Sequence, residues 1–156
     1  MNRFPPPPCT IVICGKADII NVLSKQRFDA VISIINPGRN KMWFPHRIAK
    51  QRKKMEKHCS NILQMQFWDT ENDFDVGGPR DHHIIAIREF SRNLLGKKIV
   101  IHCMQGISRS PAAAIIVLRS LGYRHDDAIN HVLQVQPSAM PNQLMLKIDD
   151  AQTKPL

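Results

Sequence analysis

Residues 97–122 read "KKIVIHCMQGISRSPAAAIIVLRSLG", and the fold turns on them. Ile99, Val100 and Ile101 form a β-branched run that ends on His102 and Cys103. Such a run predicts a short buried strand. Arg109 follows six residues after the cysteine, with Gly106 and Ser108 between them. A strongly apolar segment then opens at Pro111 and closes at Gly122. Ser110 suits an N-cap and Pro111 the first helical position, so a helix is expected over 110–121. The unit is therefore a strand running through a tight loop into a helix. A thiol ends the strand, and a guanidinium stands at the mouth of the helix.

The same pattern extends in both directions. Strands are expected at 10–15, at 29–38 up to the Pro37-Gly38 turn, and at 61–69. Helices are expected at 16–26, from Pro45 onward, at 80–96 with Gly96 as the stop, at 125–136, and after Pro141. Residues 70–79 are acidic and then Gly-Gly-Pro, which reads as a loop. Strands alternating with helices predict an α/β fold: a mainly parallel, four- to five-stranded sheet flanked by helices on both faces. Sheets of this kind bind ligands at the carboxyl ends of their strands, where Cys103 stands. At 156 residues, one domain over 1–156 is expected, with the tetraproline at 5–8 in an extended arm over 1–9.

Composition narrows the class. Apolar content of 43% in periodic segments fits a globular protein. No apolar run approaches the ~20 residues of a membrane helix. The start does not read as a signal peptide, so a cytoplasmic protein is expected. Cys9, Cys14, Cys59 and Cys103 show no C-x2-C spacing, which argues against zinc, and a reducing compartment argues against a disulfide framework. Cys14 reads as a core residue. His82-His83 reads as an exposed first helical turn rather than a metal pair. The net charge of +9 is concentrated in residues 39–57, which hold eight Lys/Arg and one acid, Glu56; without them it is +2. This segment is either a solvated helix face or a surface for an acidic peptide, lipid headgroups or RNA. Aromatic residues do not interleave the charges, and Trp43 and Phe44 sit together at one end, unlike a single-strand binder.

The loop after the strand carries the chemistry. Unpaired amides at a helix N-terminus attract anions. Met104, Gln105, Gly106, Ile107 and Ser108 would supply amides, and Arg109 a planar fork for two phosphate oxygens. Gly106 permits the φ > 0 turn that aims successive amides inward. The same cradle favours a thiolate: a free cysteine near pKa 8.5 falls to roughly 3.5–7.5 beside a helix terminus and a cation. Cys103 thus reads as a nucleophile beneath a phosphate, suited to forming a cysteinyl-phosphate. Ser108 and Ser110 can each hydrogen-bond the thiolate, Ser110 being the better candidate. An acid must protonate the departing oxygen. Asp69, at the end of the third predicted strand and 34 residues before Cys103, ranks first, ahead of Asp73 and Asp75 in the same loop.

"HCMQGISRS" at 102–110 resembles the HCxxGxxRS signature of cysteine-dependent protein phosphatases, in its dual-specificity form. From about residue 10 to 150 the chain is similar to small bacterial predicted tyrosine phosphatases. The resemblance implies Cys103 as nucleophile, Arg109 as phosphate ligand, Ser110 assisting thiolate release, His102 orienting the cysteine and Asp69 as general acid. Asn142, in "PSAMPNQL" at 137–144, matches a loop-supporting position and equally a helix cap. Implied is a metal-free hydrolase of phosphorylated protein, acting on phosphotyrosine with Ser/Thr open. No Lys-Asn-Arg-Tyr type segment that would grip phosphotyrosine is present, and the basic rim leaves a phosphoinositide or an RNA 5′-phosphate open. A phosphate-binding module with little turnover, sulfur transfer and arsenate reduction are the other readings of such a loop. Cys14 or Cys59 as resolving partner for an oxidised Cys103 is also left open.

Overall fold

The computed structural model describes residues 5–38 and 44–155. In chain order its elements are β1 (Thr10–Gly15), α1 (Ile19–Lys25), β2 (Ala30–Ile35), α2 (Phe44–Glu56), β3 (Ile62–Gln66), α3 (Asp81–Ser91), β4 (Lys98–Cys103), α4 (Arg109–Ser120), α5 (His125–Val135) and α6 (Gln143–Thr153). Four strands form one parallel sheet in the order β1-β4-β2-β3. β4 therefore has a neighbour on each side, which its unbroken Ile-Val-Ile run requires. In register, Cys103 lies beside Gly15 and His102 beside both Cys14 and Ser33.

Side chains alternate between two cores. Ile99, Ile101 and Cys103 join Ile32, Ile34 and the helices α3 to α6 on one face. Val100 joins Val31, Cys14, Cys59 and the helices α1 and α2 on the other. The expected α/β sheet with helices on both faces is what forms, with four strands. α4 is buried all round from Pro111 to Leu118, as a helix with no polar face must be. The side chains of Cys14 and Cys59 belong to the core on the face opposite Cys103. Residues 39–43 of the basic segment, Trp43 among them, lie outside the described residues. Among the described residues, no helix is long and apolar enough to cross a membrane.

Among the boundaries that differ from expectation, three have a tertiary reason. β3 stops at Gln66, so Asp69 is a loop residue and not the strand's end. Phe67 N–H makes the last rung to the Ile35 carbonyl, and Trp68 N–H turns away to Gly77. α3 stops at Ser91, whose hydroxyl bonds back to the Ile87 carbonyl at 2.6 Å. Leu94 then swings into the core, and Gly96, at φ +73°, bonds the Pro8 carbonyl. α4 begins at Arg109 with Ser108 as its N-cap residue, so Ser110 is not the cap. Pro111 is then the third helical residue, where its missing N–H still costs no intrahelical bond.

A buried ion knot ties three helices together. Asp149 of α6 is fully buried and takes Arg88 Nη2 of α3 at 2.5 Å and Arg119 Nη1 of α4 at 2.6 Å. Asp149→Ala is expected to destabilise the fold by about 3 kcal/mol, toward the low end for a broken buried pair. The low end applies because the two arginine side chains are 24% and 16% exposed and can recover water. Urea unfolding of the variant beside the parent checks this.

Candidate active site

β4 delivers Cys103 to the carboxyl end of the sheet, and α4 begins six residues later. The loop between them folds back over the end of β1. Gly106 sits at φ +75°, and a Cβ there would lie 2.8 Å from the Cys14 carbonyl carbon. A Cβ on Gly15 would lie 2.9 Å from the Met104 carbonyl oxygen. Both glycines are needed for this approach of backbone on backbone. Gly106→Ala is expected to lower activity at least about 100-fold and to lower the melting temperature, since left-handed strain and a backbone clash coincide. Steady-state rates and a thermal melt test it.

Cys103 is 2% exposed; its Sγ accepts the Gly106 N–H at 3.2 Å and lies 3.1 Å from Ser110 Oγ, a hydrogen bond in which either atom can donate. Burial pushes the thiol pKa up. The Ser110 hydroxyl and amide, the Gly106 amide and the Arg109 charge outweigh it, leaving the thiol below its ordinary value. Burial instead pushes Cys9 up to about 11 and Cys14 up to about 12. A depressed pKa means the thiolate forms on raising pH through a value below the ordinary one. At pH 7, iodoacetamide is therefore expected to alkylate Cys103 ahead of Cys9 and Cys14, as peptide mass mapping would register. By linkage, ionisation of Cys103 adds stability as pH rises through its folded pKa, an increment absent below that value.

Arg109 is 3% exposed. Its Nη1 donates to the Phe67 carbonyl at 2.6 Å, which fixes the guanidinium across the cradle. Its Nε is buried with no hydrogen-bond partner among the described residues. A buried charged donor without an acceptor is costly, and an anion in the cradle would supply one.

His102 is fully buried beneath the loop. Burial lowers its pKa to about 4, so it is neutral. Nδ1 lies 3.2 Å from the Cys103 carbonyl, which can only accept, so Nδ1 carries the proton. Nε2, 2.7 Å from Ser33 Oγ, is then the acceptor of the serine hydroxyl. This chain of bonds fixes the peptide just after the cysteine.

Asp69 comes in from the loop after β3, and its Oδ1 accepts Ser108 Oγ at 2.7 Å and Asn142 Nδ2 at 2.9 Å. Ser108 is thus bonded to the carboxylate, and of the two candidate serines it is Ser110, ranked first, that faces the sulfur. Asn142 fills both suggested roles. Its Oδ1 caps α6 through Met145 N–H at 3.0 Å, and its Nδ2 also donates to the Thr70 carbonyl. Asp73 stays exposed farther along the loop, and Asp75 accepts the Thr70 hydroxyl. His83 Nδ1 accepts Arg80 N–H at 3.0 Å, and its ring packs 4.5 Å from Phe67, so this histidine builds the loop's base.

Two supports were missed from sequence. Ser33 buries a hydroxyl in the middle of "VISII", and a lone polar residue in a buried strand was the available signal. Gln136 donates Nε2 to the Gly106 carbonyl at 2.8 Å, and nothing local marks it.

The same fold recurs among solved phosphatases. Tk-PTP in its active form superposes with a TM-score of 0.57 at 20% identity, over 91% of this chain and 90% of that one. The Cydia pomonella PTP-2 phosphatase gives 0.66 at 15% identity, over 91% and 84%. Human DUSP28 gives 0.55 at 15%, over 91% and 92%. The architecture is that of the tyrosine and dual-specificity phosphatases. In sequence, a stretch of 48 residues is 48% identical to tyrosine-protein phosphatase vhp-1 of Caenorhabditis elegans. That stretch is 30% of this chain, and it spans 7% of the length of that relative. No family model matches the chain. The fold that the loop's resemblance implied is thus the fold found, and one stretch of 48 residues is similar in sequence to a tyrosine-protein phosphatase.

Proposed function

We propose that the chain is a single catalytic domain and a cysteine-dependent phosphomonoester hydrolase of phosphorylated protein, phosphotyrosine first, with phosphoserine and phosphothreonine accepted at lower rate. The observation that carries this is the joint environment of Cys103 and Arg109. A thiol held below its ordinary pKa by two loop donors lies beneath a buried guanidinium whose Nε lacks an acceptor.

In the first step the phosphate dianion takes the amides of residues 104–108 and the Arg109 fork. Cys103 Sγ attacks phosphorus, the bond to the leaving oxygen breaks, and Asp69 gives that oxygen its proton. In the second step water attacks phosphorus, Asp69 takes the proton back, and the sulfur–phosphorus bond breaks. The departing thiolate is received by the Ser110 hydroxyl and the Gly106 amide. Each role of Asp69 needs the opposite protonation state, which a single carboxyl alternates between. No step calls on a metal. The cytoplasm, with its thiol-reducing conditions, suits a nucleophile of this kind.

The deciding experiment is phosphate release from an aryl phosphate by the reduced protein, with and without chelator. Phosphotyrosyl peptide, phosphoinositide and 5′-phosphorylated RNA run beside it. Chelator-resistant release, fastest on the phosphotyrosyl peptide, is expected. Turnover of arsenate or thiosulfate without phosphate release would overturn the reading, as would binding of phosphate without turnover.

A further inference from the structure

The cations of the basic segment form a line. Arg47, Lys50, Lys53 and Lys54 on α2, and Lys57 just past it, are all exposed. Spacings of three and four residues put them on one face, over about 15 Å of helix. The only acid among them, Glu56, is already taken by Arg52 at 3.0 Å, and Arg52 is pulled inward toward the Ile62 carbonyl. The stripe is therefore not neutralised within its own helix. Like charges at this spacing repel, which an ordinary solvated face relieves by mixing signs.

Charge of the other sign lies elsewhere. Asp69, Glu71, Asp73 and Asp75 crowd the seven residues 69–75 of the loop after β3, and Glu71 accepts Gln143 N–H of α6. α6 packs on the face of the sheet opposite α2. An acidic segment leaving the cradle is thus repelled on the α6 side and attracted on the α2 side.

We propose that the α2 stripe is a docking surface for an acidic stretch of the protein substrate, separated in sequence from the phosphoresidue. Alternate residues of an extended chain recur at about 6.6 Å, and cations three or four apart on a helix rise by about 4.5–6 Å, so successive pairs can form along the line. A peptide fits better than a membrane, because Met55 is fully buried and Ile48 half-buried on the side of the helix turned away from the stripe, so neither offers the cations an apolar wedge for the headgroup region. It fits better than RNA, because no aromatic residue stands between Arg47 and Lys57. The surface serves the phosphatase reading, but its binding step does not depend on it.

The test uses the charge reversal K50E/K53E/K54E, with K50Q/K53Q/K54Q as a milder companion; all three side chains are exposed, so the fold is kept. Binding of a fluorescent, unphosphorylated peptide of alternating glutamates is followed by anisotropy. Turnover is followed on a phosphotyrosyl peptide with and without that tract. The parent is expected to bind the peptide and to lose it with added salt. The reversal should weaken binding at least tenfold and raise KM for the tract-bearing substrate by a similar factor. Its kcat, and its activity on an aryl phosphate, should stay at the parent's. The glutamine variant should fall between. Equal peptide binding by parent and reversal would overturn the proposal. So would a reversal that spares the peptide but loses phosphatidylserine vesicles or RNA, which would assign the stripe to those partners. Peptide binding lost on reversal, in a protein that hydrolyses no phosphoester, would uphold the docking surface and reject the phosphatase reading alone.

Discussion

Cys103→Ser is expected to release phosphate from an aryl phosphate at less than about one-thousandth of the parent rate, while binding inorganic phosphate or vanadate at least as tightly. A serine hydroxyl in this cradle stays protonated at any accessible pH, so the attacking anion is lost. The anion site itself remains, because the loop amides and Arg109 do not depend on the sulfur. Removing the thiolate also removes a negative charge that opposes the incoming dianion. The loss should therefore fall on kcat and not on KM. Residual turnover above about 1% would count against Cys103 as the nucleophile. Mass spectrometry of acid-quenched parent should show the cysteinyl-phosphate that the variant lacks.

Asp69→Asn is expected to slow phosphotyrosine hydrolysis by about 10²–10⁴-fold, the range of a general acid, and to spare substrates whose leaving group needs no proton. The amide is the informative change. An asparagine there retains an Oδ1 that can accept Ser108 Oγ and Asn142 Nδ2 as the carboxylate does. Geometry is held while the proton is removed. Asp73→Asn should behave as the parent, since that carboxylate is exposed and away from the contacts that fix Asp69. If the two variants exchange behaviour, Asp73 is the acid. A rate ladder over phenols of graded acidity separates the cases.

How much of this was legible beforehand follows from the range of the forces involved. The strand–loop–helix unit at 97–122 could be read because each signal is local: β-branched residues in a row, a glycine where φ turns positive, a polar residue and a proline at a helix entry. Gly106 at φ +75° met that expectation. The cap did not, because Ser108 and Ser110 are equivalent by propensity. Tertiary contacts separate them, with Asp69 claiming the first and the Cys103 sulfur the second. Asp69 was readable as a candidate from its place after a hydrophobic strand. Its position three residues beyond the strand was not, since the ladder ends where its partner Ile35 ends.

By itself, then, the sequence determined the element order, the parallel α/β class and the chemistry available at the end of β4. These rest on side-chain period and residue type, which act over a few positions. Only the tertiary structure decided which distant groups converge there. Asp69 meets Ser108 across 39 residues and Asn142 across 73. Ser33 holds His102, Gln136 holds Gly106, and Asp149 gathers two arginines from separate helices. Such pairs carry no mark in local propensity. They form because burying the sheet's two faces brings these groups out of water together, and once buried each needs a partner.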